Sequence, residues 1–329
     1  MDNLTHSLVG LMMSRCGLDS LGKNKDAKGT AVMLMLAANA PDIDAYPFFT
    51  NALDYLEIHR GYTHALVFAP IVALLPMAIV KGVTKTRPSL IAWISCTLAV
   101  LSHLLLDWTN VYGIRLLLPF SDRWLRLDIT NVVDPFIWII LAVALAIPSL
   151  LGLVSSTIGA KKTSGVTRAW AWIALLMLGG YEYMRWNSHA KATGALNSLL
   201  YMDEPAQAVY AFPDSFGTLQ WRGVVEGEKF VYEIPVDFSG NFTMRNAKLD
   251  YKIGHAPTVD AAKETHTFQV FESFNQVPFW RINPMVDVTE VVLLDLRFGS
   301  IASNSGTFVA SAMVEPDGRI RDVTFGFGR

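Results

Sequence analysis

Charge is scarce in this chain: Asp, Glu, Lys and Arg make up 17% of 329 residues, against 52% hydrophobic. That balance excludes an ordinary soluble protein of this size and points to a membrane protein. There is no basic excess either. A formal net charge of −2 excludes nucleic-acid binding by bulk electrostatics, which needs a basic surface. Cysteine is nearly absent, with only Cys16 and Cys96, both inside apolar segments, so no disulfide framework is expected. The first apolar segment, Leu4–Leu18, lacks a basic leader and a small-residue cleavage site and carries His6. It is therefore expected to be retained rather than removed as a signal peptide.

What is abundant is apolar sequence, and it is unevenly spread. Crossing a bilayer as a helix takes about 20 residues, and four segments approach that length: His64–Val80, Leu90–Asp107, Val132–Val154 and Ala169–Trp186. Leu4–Leu18 and Thr30–Ala40 are shorter and flank Lys23, Lys25 and Lys28, so they are expected to form a re-entrant or tilted hairpin. If all six cross, loops 19–29, 81–89 and 155–168 share one side with most of the lysines, which the positive-inside rule makes cytoplasmic. Arg115, Arg123 and Arg126 are exceptions on the other side.

From about residue 205 the pattern alternates, as in half-buried strands, at Thr218–Val225, Phe230–Val236, Thr267–Glu272, Glu290–Phe298, Thr307–Val314 and Arg319–Phe325. Turn signals at Ser239-Gly240-Asn241 and Pro316-Asp317-Gly318 separate some of them. The expected class is α+β: a polytopic helical membrane domain, residues 1–190, followed by a small antiparallel β-rich domain, residues 205–329, on the non-cytoplasmic side of a cell (inner) membrane.

Four of seven histidines, His6, His59, His64 and His103, lie in the first third, each near the edge of an apolar segment. His103 and Asp107 are four apart, on one helix face, where both can reach a single ion. Taken alone the pair reads rather as a helix-terminal hydrogen bond. Ionisable groups bordering a membrane helix are costly, which strengthens the functional reading. Asp42 and Asp44 follow Pro41, where a helix should end. In an extended loop both acids would face the same way, though either is also a candidate helix cap. His59 and His64 bracket Arg60 and Gly61, which permits a tight turn, with Thr63 placed to cap the next helix. Imidazole plus carboxylate is a zinc-type ligand set. The expected metal ligands are His6, Asp44, His59, His64, His103 and Asp107, binding one or more divalent ions such as zinc, with Asp42 and Arg60 as catalytic groups. Asn110, Asp128 and Asp134 are further polar candidates. His189, His255 and His266 lack comparable neighbours and read as structural or solvent-exposed.

The ordered set His6, Pro41-Asp42-Ile43-Asp44, His59 through Leu66, Ser102 through Asp107, Tyr112-Gly113 and Leu118-Pro119-Phe120-Ser121 resembles the YdjM-like family of membrane-bound, metal-dependent hydrolases. The resemblance covers about residues 1–150, and Trp221 through Glu226 is similar to a C-terminal extension of some members. Ala65 replaces the serine common after the second histidine, at a position that is not a ligand. The family is distantly similar to zinc-dependent phospholipase C and fungal single-strand nucleases, which implies phosphoester hydrolysis. A phospholipid or lipid-linked phosphate would suit a site at the bilayer surface, and Arg60 would then hold a phosphate oxygen. Two other readings compete: a metal or ion transporter, which needs polar groups at successive depths, and a non-enzymatic anchor whose C-terminal domain binds a partner. Some relatives are described as binding the LexA repressor.

Overall fold

Asp2 fixes the start of the first helix by accepting from the Thr5 backbone N–H at 3.0 Å and the Thr5 hydroxyl at 2.6 Å. In a computed structural model that describes residues 1–18, 27–84, 89–157, 164–214, 220–303 and 306–327, this helix is α1 (Asn3–Met13). It packs on α2 (Ala27–Asn39). At 1.5 Å per residue the two are roughly 16 and 20 Å long, short of a hydrocarbon core of about 30 Å. A 3-10 stretch (Ala40–Phe49) and α3 (Ala52–Ile58) follow. His64 sits in a separate 3-10 turn, Tyr62–His64, ahead of α4 (Ala69–Val72) and α5 (Leu74–Thr84). Ser89 caps α6 (Leu90–Thr109), and Asp134 caps α7 (Pro135–Thr157) by accepting from Phe136 N at 3.0 Å. The long α8 (Ser164–Asn197) completes the helical series.

The chain divides into two units: Met1–Asp44 with Arg60–Trp186, and Ala45–His59 with Asn187–Arg329. In the first unit, three helical stretches among the described residues are long and apolar enough to cross a membrane: Leu66–Val83, Leu90–Thr109 and Pro135–Val154. Ala169–Trp186, expected as a fourth, lies within α8 and is not among them; it carries Glu182 and the buried Arg185. The basic positions Lys23, Lys25, Lys85, Arg87, Lys161 and Lys162 lie outside the described residues.

Helix ends follow one another down the first unit. Leu66 and Thr109 are held near one end by backbone bonds, Leu66 N to Leu116 O at 3.0 Å and Ile129 N to Thr109 O at 3.0 Å, and Pro135 follows the same loop. The N-terminus joins this end, since Asp2 N donates to Val132 O at 3.0 Å. The interior is sealed by small residues: a Cβ on Gly10 would meet Leu34 O at 2.7 Å and Ala38 Cβ at 3.0 Å, so α1 and α2 touch backbone to side chain.

The second unit holds a short hairpin of β1 (Leu200–Tyr201) and β2 (Glu204–Pro205), then two four-stranded antiparallel sheets. One has β3 (Ala208–Pro213), β4 (Gln220–Glu226), β5 (Phe230–Asp237) and β6 (Lys248–Tyr251) in sequential order. The other, ordered β10-β9-β8-β7, comprises β7 (Pro278–Pro284), β8 (Thr289–Asp295), β9 (Phe308–Val314) and β10 (Ile320–Phe327). Both expected turns are present, with Gly240 and Gly318 at φ +91° and +86°.

Thr267–Glu272, expected as a strand, is instead part of α10 (His266–Phe274), which follows α9 (Pro257–Lys263). Phe268, Phe271 and Phe274 recur every three residues and are all buried, a helical stripe that outweighs the β-propensity of Thr, Phe and Val. Thr265 caps it. Besides the short hairpin, three strands of the two sheets lie outside the expected runs, Ala208–Pro213, Lys248–Tyr251 and Pro278–Pro284; two of them carry terminal prolines, which weaken a strand pattern.

Candidate metal centre

Four acceptor atoms of the first unit converge beside the ends of α2 and α6. His103 and Asp107 come from one face of α6, His64 from its 3-10 turn and Asp42 from the 3-10 stretch after α2. His64 Nε2 lies 3.2 Å from His103 Nε2, 3.4 Å from Asp42 Oδ1 and 3.6 Å from Asp107 Oδ2. His103 Nε2 lies 3.5 Å from Asp42 Oδ1 and 3.4 Å from Asp107 Oδ2. Ligands placed about 2.0–2.1 Å from a tetrahedral zinc ion stand about 3.3–3.4 Å from one another, so these separations fit such an ion.

The hydrogen bonds behind the rings sharpen the point. His103 Nδ1 is 2.7 Å from the Ala38 carbonyl, an acceptor only, so that nitrogen carries the proton and Nε2 presents its lone pair. His64 Nδ1 faces Asp44 Oδ2 at 3.1 Å, so that when the ring is neutral its Nε2 lone pair turns inward. Asp107 Oδ2 is buried and has no hydrogen-bond partner. Lone pairs and carboxylate oxygens placed this close call for positive charge among them, from a bound cation or from a proton on His64. Burial lowers the pKa of His64, but Asp42 and Asp44 outweigh it and raise that pKa. For Asp42, burial opposes the charged form, yet His103 and His64 hold its carboxyl well below the ordinary range. Both shifts describe a place that attracts positive charge.

Around the four lies a second ring of contacts. Thr63, expected to cap a helix, donates to Asp44 Oδ2 at 2.5 Å instead. Arg60 is buried and left-handed, with φ +59°, so the strained residue of the His59–His64 turn is Arg60 rather than Gly61. Its guanidinium donates to Asp107 Oδ1 at 3.1 Å, Asn110 Oδ1 at 3.2 Å and Gly113 O at 2.9 Å, and it lies over the Tyr112 ring. Asn110 Nδ2 adds a bond to Asp107 Oδ1 at 3.2 Å, and the Met1 amino group pairs with the same oxygen. Asn110 was legible in the sequence only as a polar residue one turn past Asp107; no sequence signal marks the Ala38 carbonyl.

His6 stacks on His103 at 3.7 Å between centroids, with Nε2 3.5 Å from Asp107 Oδ1, beside the four rather than among them. His59 closes α3 in the second unit, where its ring stacks on Tyr55; the cluster described here belongs to the first unit. Asp128 pairs with Arg126 at 2.7 Å, and Asp134 accepts from Tyr181 at 2.9 Å.

The model of the family described as YdjM inner membrane protein matches residues 1–188. The chain is 27% identical over 303 residues to an uncharacterized protein, YfhP, of Bacillus subtilis (strain 168), covering 91% of this chain and 88% of that one. It is 41% identical over 93 residues to the inner membrane protein YbcI of Escherichia coli (strain K12), covering 27% of this chain and 53% of that one. No solved structure matches the chain.

Proposed function

The chain belongs to the YdjM inner membrane protein family, and from that premise and the four-atom cluster we propose that it is a metal-dependent hydrolase acting on a phosphoester at the membrane surface. The observation that carries this reading is the spacing of His64 Nε2, His103 Nε2, Asp42 Oδ1 and Asp107 Oδ2, with two imidazole lone pairs and an unpartnered carboxylate oxygen turned to a common centre. Their convergence at one end of the spans supports a hydrolase over an ion path, which needs polar groups at successive depths.

Asp42, His64, His103 and Asp107 would hold the ion, and two histidines with two carboxylates suit zinc. When bound, such an ion supplies a water of lowered pKa and positive charge for the phosphoryl oxygens. Asp44 and the Ala38 carbonyl keep His64 and His103 in the tautomers that face inward. Asp42 is the most open of the four, with its side chain 11% exposed against 0% for the others, so substrate approaches on its side and its carboxylate is placed to accept a proton from water. Arg60 has three acceptors behind Asp107; these bonds favour a role in holding that carboxylate over clamping a phosphate. A lipid phosphoester fits a site at the end of membrane spans. Arg15, Lys81 and Arg168 lie toward the opposite end, and the positive-inside rule supports a cytoplasmic side there and a metal centre at the non-cytoplasmic face.

The test is metal analysis of detergent-purified protein beside a His103→Ala, Asp107→Ala variant, with hydrolysis of phospholipids and generic phosphate esters measured with and without chelator. We expect about one equivalent of divalent metal in the wild type, none in the variant, and chelator-sensitive turnover. Equal metal content in both proteins would remove the reading.

A further inference from the structure

Next to the metal centre, the first unit exposes an apolar turn that the proposed chemistry does not use. Ile114 and Leu125 bridge antiparallel strand ends, and the chain between them folds into tight turns, with Phe120 N donating to Leu117 O at 2.9 Å and Ser121 N to the same oxygen at 3.1 Å. The base of this excursion is anchored in the core through Ile114, which is 0% exposed, and Leu118 is buried. Its tip is turned out: Phe120 is 86% exposed and Leu117 45%. Arg115 stacks on Trp124 at 5.0 Å at the base, and Arg123 and Asp122 are exposed beside it.

Three bonds fix the depth of this tip. Leu66 N, the first residue of a membrane span, donates to Leu116 O at 3.0 Å; Arg115 Nε donates to Arg60 O at 3.5 Å; Arg60 donates to Gly113 O. The excursion is therefore stitched to the segment that carries His64 and stands level with the start of the span. Leu66 and Val67, 54% and 51% exposed, and Tyr62, 61% exposed, are further exposed apolar side chains on the segment bonded to Leu116. Apolar tips flanked by arginine and tryptophan suit the boundary between headgroups and acyl chains, where the ring is buried and the charged heads stay wet.

We propose that the turn Leu116–Phe120 is inserted into the lipid boundary and, with Tyr62, forms a lipid-facing rim beside the metal centre, so that the centre takes a ligand carrying acyl chains from the bilayer. The occupant is lipid because the turn is bonded at Leu116 to Leu66, where an exposed apolar spanning stretch begins. Insertion rests on the membrane surface alone; the kinetic consequence rests also on the proposed function.

The depth test uses the full chain in vesicles of phosphatidylethanolamine and phosphatidylglycerol, with a spin label on Phe120→Cys. Cys16 and Cys96 are buried, and labelled wild type sets the background. Collision with oxygen should exceed collision with a water-soluble nickel complex, as for a label on Leu75→Cys within the span and opposite to one on Ser239→Cys in a polar turn. Nickel collision at position 120 matching Ser239, or protection from both reagents, would overturn insertion. In the kinetic arm, Phe120→Asp should raise the KM for vesicle phosphatidylglycerol by about tenfold or more while leaving kcat/KM for a water-soluble nitrophenyl phosphodiester unchanged. Equal losses on both substrates would place Phe120 in the site itself and defeat the rim. Absence of any phosphoester hydrolysis in wild type defeats the proposed function instead, with the depth result still deciding insertion.

Discussion

Asp107 does two jobs with its two oxygens. Oδ2 faces the imidazoles without a partner, while Oδ1 takes Arg60, Asn110 and the Met1 amino group, so the charges behind it set the aim of the oxygen in front. Arg60→Lys should therefore act through metal affinity, because an ammonium reaches one of the three acceptors that the planar fork spans. The expected result is weaker metal binding by about 10–100-fold, measured by chelator competition, with turnover per loaded protein preserved. Full metal retention with reduced turnover would return Arg60 to the phosphate-clamp role its sequence position suggested. Asp44→Ala should likewise weaken metal binding by about 10–100-fold, whereas Asp44→Asn, which keeps an acceptor for His64 Nδ1–H, should lose less. Asp42 and Asp44 were both legible as candidates, and each stands against His64, Asp42 at Nε2 and Asp44 at Nδ1. An extended loop would aim both the same way; the chain from Ala40 is a 3-10 helix, and at three residues per turn residues two apart point apart. Asp42 Oδ1 faces the Nε2 atoms of His64 and His103, and Asp44 Oδ2 faces His64 Nδ1.

A tight contact of α1 with α2 at Gly10 bears directly on the candidate ligands. His6, one turn before Gly10 on α1, stacks on His103, and Ala38, which Gly10 abuts on α2, supplies the carbonyl that orients the same ring. Forcing α1 and α2 apart should disturb both supports at once. Gly10→Val is expected to cost about 1–3 kcal/mol from overpacking, read from denaturant unfolding in detergent, and to lower metal content although no ligand is changed. Loss of stability with full metal content would show that the two supports are dispensable. Apolar periodicity made the long elements legible, as for Leu90–Asp107 against the observed Leu90–Thr109. It failed where a three-residue aromatic repeat sat inside a β-rich stretch, at His266–Phe274, and where strand ends carry proline, at Ala208–Pro213 and Pro278–Pro284. In both cases burial against neighbours outweighs local propensity.

At the scale of the whole molecule, composition made the membrane class legible because a chain with so few charges cannot coat a large surface with them. Topology was less legible, since three arginines stand in the loop expected on the outer side. Two of them have local partners: Arg126 pairs with Asp128 at 2.7 Å, and Arg115 stacks on Trp124. Arg15, Lys81 and Arg168 lie at the opposite end of the helices, and Arg168 comes within about van der Waals reach of Gly17, joining the end of the α1 segment to the start of α8. If the Arg168 end is cytoplasmic and α8 crosses, the second unit would lie outside the cytoplasm. A cysteine at exposed Ser239 should then react with a membrane-impermeant maleimide in spheroplasts, which leave the inner membrane sealed. One at Gly165, near the start of α8 and with open space around it, should react only after permeabilisation. The reverse order of labelling would invert the topology and put the metal centre in the cytoplasm, where the ligand geometry would stand but its substrates would have to come from the inner leaflet. Equal labelling of both positions in sealed spheroplasts would show that α8 does not cross, and would remove the charge rule as a guide to the second unit's side.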